Sequence, residues 1–489
     1  METKENNSIH RAKTWELAGF ALNNVATNAY MWEMTFISYF LTGFVGVAVV
    51  LATSIVTIMR IWDGVTDPFV GYIIDKTDGK FGKNRPFIIV GQVIMLIMSA
   101  VIFFVTPKLP QAIRFVSFII FYAIYIIGYT AQCVVTKSAQ TCLTNDPKQR
   151  PLFSVFNGIF TAVFFALMPY YSYTYLLGKH QYQMNEGFFA EQWRFCLIIS
   201  VVCSVIAYIS LIRKDRSQYF GIGKPTPVNF KDYWDILKNN RAMQMLVVTA
   251  STDKLATQTK SDATVTLIIY GIVCGNAAAS GLVSSYTTIP NVLFIMFGAG
   301  LIAAKLGQKK SIQVGSWGAL ICSAALIALF VLGNPTTLSL PGDGRFESWS
   351  LFTVLFLLFT IAFNGFTQIT GSVVITMTAD VSDYEVYRSG KYLPGMIGTL
   401  FSFVDKLVSS LATTIVGLMC AAIGFTTALP TAETPYSTAL LVIGLVCMYG
   451  MVLIGRIISL IAMKFYPLSK EKMEEIQGEI AAIKARNAA

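Results

Sequence analysis

"RIWDGVTDPFVGYIIDKTDGKFGKNRP", from Arg60 to Pro86, begins inside a hydrophobic run and ends in a cluster of charged residues. Asp63 and Asp67 are four residues apart, a spacing that places both carboxylates on one face of a helix, about 6 Å apart. Two bare carboxylates among hydrocarbon are very costly unless they bind a cation, hold a proton or pair with Arg or Lys. The stretch therefore predicts either a site for a coupling ion or a structural ion pair of these acids with Arg60 or Lys406.

The composition of the whole chain is typical of a membrane protein. Of the 489 residues, 54% are hydrophobic and only 13% are charged, whereas a soluble protein carries roughly a quarter of charged residues. Hydrophobic runs of about 20 residues, the length that crosses a bilayer, recur along nearly the whole chain. We predict an all-α membrane protein with twelve transmembrane helices, at 15–42, 46–74, 87–106, 113–142, 152–178, 192–212, 243–274, 281–304, 311–333, 348–378, 394–424 and 436–465.

The distribution of basic residues indicates the orientation of the chain. The net charge is +10, but Lys and Arg are concentrated in alternate loops, after every second predicted span. This alternation is the positive-inside pattern, so we expect a multi-pass protein of the cell (inner) membrane with both termini in the cytoplasm. We accordingly expect membrane lipid around the protein and no nucleic-acid partner.

The longest polar interruption divides the chain into two parts. The predicted organisation is an N-terminal six-helix half (1–212), a cytoplasmic middle loop (213–241), a C-terminal six-helix half (242–466) and an amphipathic cytoplasmic tail (467–489). Two six-helix halves joined by a cytoplasmic loop are typical of a secondary transporter with its site between the halves. Because one chain holds both halves, we expect a monomer.

The sequence carries no pattern that is typical of an enzyme. It has no Walker A motif for ATP-driven transport and no Ser/His/Asp combination for nucleophilic catalysis. Its eight cysteines show no metal-ligand spacing. We therefore expect no catalytic residues and no cofactor, with Na⁺ or H⁺ as the coupling ion.

A family resemblance extends along essentially the whole chain. The pattern R-I-W-D-G-V-T-D-P-x-x-G-x-x-x-D-x-T-x-x-x-x-G-x-x-R-P resembles the signature of the glycoside-pentoside-hexuronide:cation symporter family, the melibiose-permease-like branch of the major facilitator superfamily. Further similar segments are GYTAQCVVTKSAQTCLTNDPKQR, ADVSDYEVYRSGKYLPG, FSFVDKL and FYPLSKEKMEEI. The resemblance implies the superfamily fold and cation-coupled symport of a glycoside or sugar derivative. The alternative is a lipid-handling or non-transporting sensor relative on the same fold.

The resemblance also implies a cation site built from the second, fourth and eleventh spans. The implied cation-binding residues are Asp63, Asp67, Thr66, Thr130 and Ser402. Asp63 and Asp67 match the two acids of the family and are the metal ligands if the ion is sodium. The oxygen of Thr66, between the two acids, favours sodium over a proton. Lys406 matches a family lysine that is implicated in linking the cation and sugar sites.

The sugar-binding positions of the family are altered in this chain. Asn24 stands where melibiose-type members have an acid in the first span, and Asn157 stands at an arginine position of the fifth. In the fourth span Cys133 replaces an acid and Lys137 replaces an aromatic residue. A pocket with fewer carboxylates and an added ammonium is poorly suited to neutral galactosides, so we infer a different solute.

Polar residues of the predicted spans define a candidate substrate site. Its residues are Asn24, Asn28, Trp32, Lys137, Asn157, Lys254, Gln258, Gln368 and Lys406. Lys254, Gln258 and Asp262 are spaced four residues apart along one helix face, near the membrane midplane where transporter sites are expected. Our hypothesis is that Lys137, with Lys254, holds an anionic group of the solute, as in a hexuronide or a sulfonated sugar.

Each of these candidates has a structural alternative. Lys137 pairs with Glu33, and Lys254 with a nearby Asp, if the buried charges only neutralise one another. Trp32 stacks on a sugar ring or is a packing tryptophan of the membrane interface. Gln368 and its neighbour Asn364 bind the solute or hydrogen-bond between helices.

Overall fold

In the computed structural model, helices are the regular secondary structure of the described residues, which are 11–77, 79–144, 150–216, 230–294, 306–389, 394–476 and 478–479. The chain divides into two compact units, Met1–Pro225 and Thr226–Ala489. Parts of the predicted middle loop and of the predicted tail lie outside the described residues. The predicted bounds of the two halves, the loop and the tail stay predictions.

The first unit consists mainly of long α-helices, several of which are extended by short 3₁₀ or π-helical turns. Its α-helices are α1 (Thr14–Glu33), α2 (Ile37–Phe40), α3 (Val49–Lys76), α4 (Arg85–Ala100), α5 (Gln111–Ser138), α6 (Gln140–Leu143), α7 (Arg150–Pro169), α8 (Leu177–Lys179) and α9 (Glu186–Leu211). A 3₁₀ turn at Met34–Phe36 joins α1 to α2. Turns of π-helix follow α2, α4 and α7, at Leu41–Val45, Val101–Val105 and Tyr170–Leu176.

Close helix packing in this unit depends on small residues. α1 packs against α5, α7 and α9, and α4 packs against α5 and α9. Where α4 crosses α5, a Cβ atom on Gly91 would lie 2.8 Å from the carbonyl oxygen of Gly128. No larger residue fits there without moving a helix, because small residues are what lets transmembrane backbones approach closely.

A buried aspartate holds the connection between α3 and α4. The carboxylate of Asp215 accepts hydrogen bonds from the backbone N–H of Asn84 at 2.9 Å and of Arg85 at 2.8 Å, at the start of α4. An anion at this end of a helix is stabilised by the unpaired N–H groups. Gly82 beside it has φ +87°, and a Cβ atom there would lie 2.3 Å from the carbonyl oxygen of Asp215. Glycine is therefore required at this turn.

The second unit repeats the construction of long helices with irregular extensions. Its α-helices are α10 (Phe230–Asn239), α11 (Arg241–Lys260), α12 (Ala263–Thr266), α13 (Ala279–Phe294), α14 (Gln308–Leu332), α15 (Leu351–Ser389), α16 (Pro394–Ala422), α17 (Thr438–Leu445) and α18 (Met451–Phe465). Turns of π-helix at Leu267–Val273 and Val446–Gly450 continue α12 and α17. α11 packs against α15, α16 and α18, and α14 packs against α15 and α18.

A buried ion pair joins three helices of this unit. Arg456 on α18, only 1% exposed, donates from Nη1 to the Oδ2 atom of Asp253 on α11 at 2.5 Å. The same Nη1 donates to the Thr370 hydroxyl on α15 at 2.7 Å. The Ser459 hydroxyl donates to the Oδ1 atom of Asp253 at 2.8 Å. Both charges are therefore neutralised inside the helix packing.

A second charged cluster ties α10 to the end of α15. Arg388 Nη2 donates to Asp235 at 2.8 Å and to Glu385 at 2.8 Å. Asn240, between α10 and α11, donates to the buried Glu385 carboxylate at 2.8 Å. The hydrogen bond to Glu385 is the main cause that raises the pKa of Arg388 above its usual value. The guanidinium therefore stays charged at any physiological pH.

Nine helices of the described residues are long and apolar enough to cross a membrane. They are Val49–Ile74, Arg85–Lys108, Gln111–Ser138, Val155–Lys179, Glu186–Leu211, Gln308–Leu332, Leu351–Gly371, Leu400–Ala422 and Thr438–Phe465. The predicted spans at 15–42, 243–274 and 281–304 are not among them. α11, in the span predicted at 243–274, contains Asp253, Lys254 and Lys260. The span predicted at 281–304 runs into residues outside the described ranges. The count of twelve stays a prediction.

Candidate functional site

The structure brings three of the predicted cation-binding residues together in the first unit. The Thr130 hydroxyl on α5 donates to the Oδ1 atom of Asp63 on α3 at 2.8 Å. The hydroxyl oxygens of Thr66 and Thr130 are 3.0 Å apart. Thr66 also donates to the backbone carbonyl of Asp63 at 3.0 Å. We call Asp63, Thr66 and Thr130 the oxygen cluster.

Local helix geometry places these groups. α3 is continuous from Val49 to Lys76, so residues three and four positions apart share a face. Asp67 lies one turn beyond Asp63 and is half-buried, as Asp63 is. Pro68 lies inside α3 and has no N–H, so the carbonyl of Gly64 cannot receive its usual helical hydrogen bond. A backbone oxygen is thereby left available within one turn of Asp63.

The oxygen cluster has the ligand chemistry of a hard monovalent cation. Thr66 and Thr130 are buried, while the Asp63 carboxylate is half-buried and accessible. Carboxylate, hydroxyl and carbonyl oxygens are the ligands that hard cations prefer. Within the part of the chain that the structure describes, no group of three or more His, Cys, Asp or Glu could hold a metal ion. Thiolate or imidazole sites for transition metals are therefore not found among these residues.

Ser402, predicted for the cation site, and Lys406, predicted for the substrate site, lie in the second unit. Ser402 and Lys406 are on α16, one helical turn apart, and both are half-buried. This spacing agrees with the sequence prediction. Their role in cation binding or in linking the cation and sugar sites stays a prediction.

Two of the predicted substrate residues of the first unit contact each other. The Asn24 amide on α1 donates to the Asn157 side chain on α7 at 2.9 Å and to the Thr161 hydroxyl at 3.2 Å. Asn28 follows one turn later on α1 and is half-buried. These amides form a polar strip between α1 and α7 that offers both donors and acceptors to a solute.

Trp32 is held inside an aromatic cluster of the same unit. Its indole N–H donates to the Ser172 hydroxyl at 2.9 Å. Its ring meets the rings of Phe36, Phe165 and Tyr173 edge-on, with centroids 6.2, 6.3 and 6.4 Å away. These contacts favour the packing interpretation of Trp32 over stacking on a sugar.

The proposed pairing of Lys137 with Glu33 is wrong. Lys137 is exposed in the last turn of α5. The hydroxyl of Tyr125 donates to the carbonyl of Tyr30 at 3.0 Å, which sets the level of Glu33 near Tyr125. Lys137 follows Tyr125 by twelve residues, about 18 Å along the helix. The two charges are therefore separated by about three helical turns.

Glu33 is instead a buried acid without a hydrogen-bond partner in the described part of the chain. It is 2% exposed, and neither carboxylate oxygen has a hydrogen-bond partner among the described residues. The groups that interact with it electrostatically are Tyr30, Tyr125 and Cys196. Burying a polar group without a hydrogen bond destabilises the folded state. An intramembrane acid kept at this cost is a candidate functional group.

We expect that Glu33→Leu raises the thermal stability of the protein. Leucine fills a similar volume and removes the unsatisfied polar group, a gain of about 1–3 kcal/mol in the free energy of unfolding. The measurement is thermal unfolding of the detergent-solubilised protein by tryptophan fluorescence. Glu191→Leu is the matched control, because Glu191 accepts from Lys179 Nζ at 2.7 Å and should give no gain. A melting temperature of Glu33→Leu below that of the wild type would contradict the prediction.

Only two of the three residues predicted to share one helix face, Lys254 and Gln258, lie on α11. α11 ends at Lys260, and Asp262 accepts from the Thr264 N–H at 2.8 Å as the N-cap of α12. Asp262 therefore does not continue the face of Lys254 and Gln258. Lys254 is exposed and interacts electrostatically with Asp405 on α16, which favours the structural alternative. Gln258 is half-buried and Gln368, on α15, is exposed.

The sequence prediction missed Lys260, which lies in the same stretch of chain. Its ammonium donates to the Oδ1 atom of Asn364 on α15 at 3.0 Å and lies 4.1 Å from the centroid of the Phe363 ring. The signal was a lysine inside a predicted span. It lies outside the regular four-residue spacing of Lys254, Gln258 and Asp262.

Comparison with known proteins identifies the class of protein. The family model described as MFS/sugar transport protein matches residues 19–470. The chain is 22% identical over 478 residues to the glucuronide carrier protein homolog of Escherichia coli (strain K12), covering 96% of each chain. It is also 22% identical over 471 residues to the putative glycoside/cation symporter YagG of the same organism, covering 94% of each chain.

The fold is similar to that of solved transporters. The crystal structure of a POT family transporter in complex with 5-aminolevulinic acid aligns with a TM-score of 0.61 at 12% identity, covering 93% of this chain and 96% of that chain. This likeness shows the fold alone. The chain belongs to the MFS/sugar transport protein family. It is therefore a multi-pass membrane transporter of the major facilitator superfamily and not an enzyme, which confirms the predicted family and fold class.

Proposed function

We propose that this protein is a symporter that couples the entry of a cation to the uptake of a glycoside or sugar derivative across the cell (inner) membrane. The observation that carries the proposal is the hydrogen bond of 2.8 Å from Thr130 to Asp63, which joins an acid of α3 to a hydroxyl of α5. The names of the two relatives, a glucuronide carrier homolog and a glycoside/cation symporter, support sugar transport and coupling. They do not favour a lipid-handling protein or a sensor.

The oxygen cluster supports sodium as the coupling ion. A proton needs a single carboxylate, whereas sodium needs several oxygen ligands. Thr66, Thr130 and the carbonyl of Asp63 supply these around the Asp63 carboxylate. Asp67, one turn away, supplies a second negative charge. We infer that a dehydrated sodium ion is bound there, with Asp63 and Asp67 neutralising it.

Coupling follows from the linkage between the two ligands. A bound cation reduces the negative charge of the two acids of α3, so that the solute binds more tightly, and by thermodynamic necessity the solute strengthens cation binding by the same factor. Symport then requires that only the empty and the doubly loaded forms exchange between outward-open and inward-open states. We further propose a monomer, since one chain holds both predicted halves. We assign both termini to the cytoplasm because of the positive-inside pattern of the loops.

Uptake into proteoliposomes tests this proposal. The purified protein is reconstituted, and entry of radiolabelled methyl β-D-glucoside, methyl β-D-galactoside, methyl β-D-xyloside and methyl β-D-glucuronide is measured. We expect at least one glycoside to accumulate above its external concentration under an inward sodium gradient, and a sodium ionophore to collapse the accumulation. Protein-free liposomes are the control. Failure of every glycoside to accumulate under either a sodium or a proton gradient would contradict symport.

A further inference from the structure

An ammonium group lies at membrane depth in the second unit without an acidic partner among the described residues. Lys260 contacts Asn364, and Asn364 lies within the membrane-spanning helix Leu351–Gly371. The lysine side chain is half-buried, so that it remains accessible. In the described part of the chain its ammonium contacts the side-chain amide oxygen (Oδ1) of Asn364 at 3.0 Å and the face of the Phe363 ring.

These two contacts do not neutralise the charge. An ammonium has three N–H donors, of which Asn364 accepts one. A cation over an aromatic face gains about 0.5–2 kcal/mol, less than the cost of placing a lysine at the centre of a membrane. A negatively charged group of a ligand would supply the neutralisation that these two contacts leave out.

Three other cations of the predicted spans either have an acidic neighbour or are exposed at the end of a helix. Arg456 is bound to Asp253 at 2.5 Å, and Lys254 interacts with Asp405. Lys137 is exposed at the end of its helix. Among these four cations, Lys260 alone combines membrane depth with the lack of an acidic contact from the described residues.

We propose that Lys260, Asn364 and Phe363 form a subsite for the carboxylate of an acidic glycoside. Lys260 offers two N–H donors to a carboxylate, a charge-assisted arrangement that is stronger than a neutral hydrogen bond. The Asn364 amide, whose oxygen is engaged by Lys260, offers its NH₂ group as a further donor. Phe363 is buried and holds the Lys260 ammonium over its ring face at 4.1 Å, which positions the lysine for the carboxylate. This assignment rests on the proposed transport of glycosides and moves the anion-binding role from Lys137 and Lys254 to Lys260.

A matched pair of ligands tests the subsite. Methyl β-D-glucuronide and methyl β-D-glucoside share the ring and the aglycone and differ in a carboxylate against a hydroxymethyl group. Binding is measured by ligand-induced thermal stabilisation of the wild type, Lys260→Gln and the control Lys254→Gln. We expect the wild type to prefer the glucuronide at least about tenfold, Lys260→Gln to lose that preference, and Lys254→Gln to keep it. Glucoside binding reports whether Lys260→Gln is folded.

The outcomes separate the subsite from the proposed function. A wild type without a preference for the glucuronide, or an equal loss of both ligands in Lys260→Gln, overturns the subsite. Retention of the preference in Lys260→Gln with its loss in Lys254→Gln also overturns it. Sodium-driven accumulation of the neutral glucoside is measured in parallel. If a glycoside accumulates while charge discrimination fails, only the subsite is refuted. If neither the glucoside nor the glucuronide, nor any other glycoside of the uptake panel, accumulates under a sodium or a proton gradient, the symport proposal is refuted.

Discussion

Asp63→Asn is expected to abolish ion-driven accumulation of the solute, so that the ratio of its internal to its external concentration falls to about one. The amide has the shape of the carboxylate and still accepts the hydrogen bond that Thr130 donates at 2.8 Å, so the fold should be preserved. The amide lacks the negative charge that holds a cation. An ion at membrane depth is very costly unless an opposite charge neutralises it. The measurement is sodium-driven uptake in proteoliposomes, alongside solute counterflow without an ion gradient.

Matched variants make this result specific. Thr130→Val removes a hydroxyl of the oxygen cluster and should weaken the apparent affinity for sodium about tenfold while leaving some accumulation. Thr77→Val is the control, because among the described residues the Thr77 hydroxyl, directly after α3, donates to the Ile73 carbonyl of that helix. Wild-type accumulation by Asp63→Asn, together with wild-type sodium dependence, would mean that the acids of α3 are structural.

The oxygen cluster was within reach of sequence analysis because it depends on local geometry. Asp63 and Thr66 are three residues apart in an unbroken helix, so their common face follows from helix periodicity. The partner on α5 is not local. Thr130 could be assigned only through the family resemblance, because the residue spacing within one helix does not determine which residue of a neighbouring helix lies beside it.

The contacts of the isolated charges could not be predicted for the same reason. Pairing Glu33 with Lys137 neglected the relative level of α1 and α5, which the Tyr125 hydrogen bond to Tyr30 fixes. Hydrophobicity specifies that a helix spans the membrane, but the depth at which two helices meet is set by packing. Lys260 could not be recognised from one chain segment, because its distinguishing feature is that no described acid contacts it across the interface between α11 and α15.

The largest loss of stability is expected for Arg456→Met. The substitution leaves the Asp253 carboxylate buried with only the Ser459 hydroxyl, at 2.8 Å, from the original cluster. Removing one partner of a buried ion pair costs about 3–5 kcal/mol, because an uncompensated charge remains in a medium of low dielectric constant. The measurement is the free energy of unfolding in detergent, by denaturant titration.

Simultaneous replacement of both partners separates charge from packing. Arg456→Met combined with Asp253→Leu removes both buried charges and keeps apolar volume between α11 and α18, so most of the lost stability should return. The coupling free energy of the double-mutant cycle should therefore be favourable and comparable with the loss in the single variant. Additive losses in the double variant would mean that shape, not charge, makes Arg456 important. Because the pair lies wholly within the second unit, the same variants should leave the hydrogen bond between Thr130 and Asp63, and hence sodium binding at the oxygen cluster, unchanged in whatever fraction remains folded.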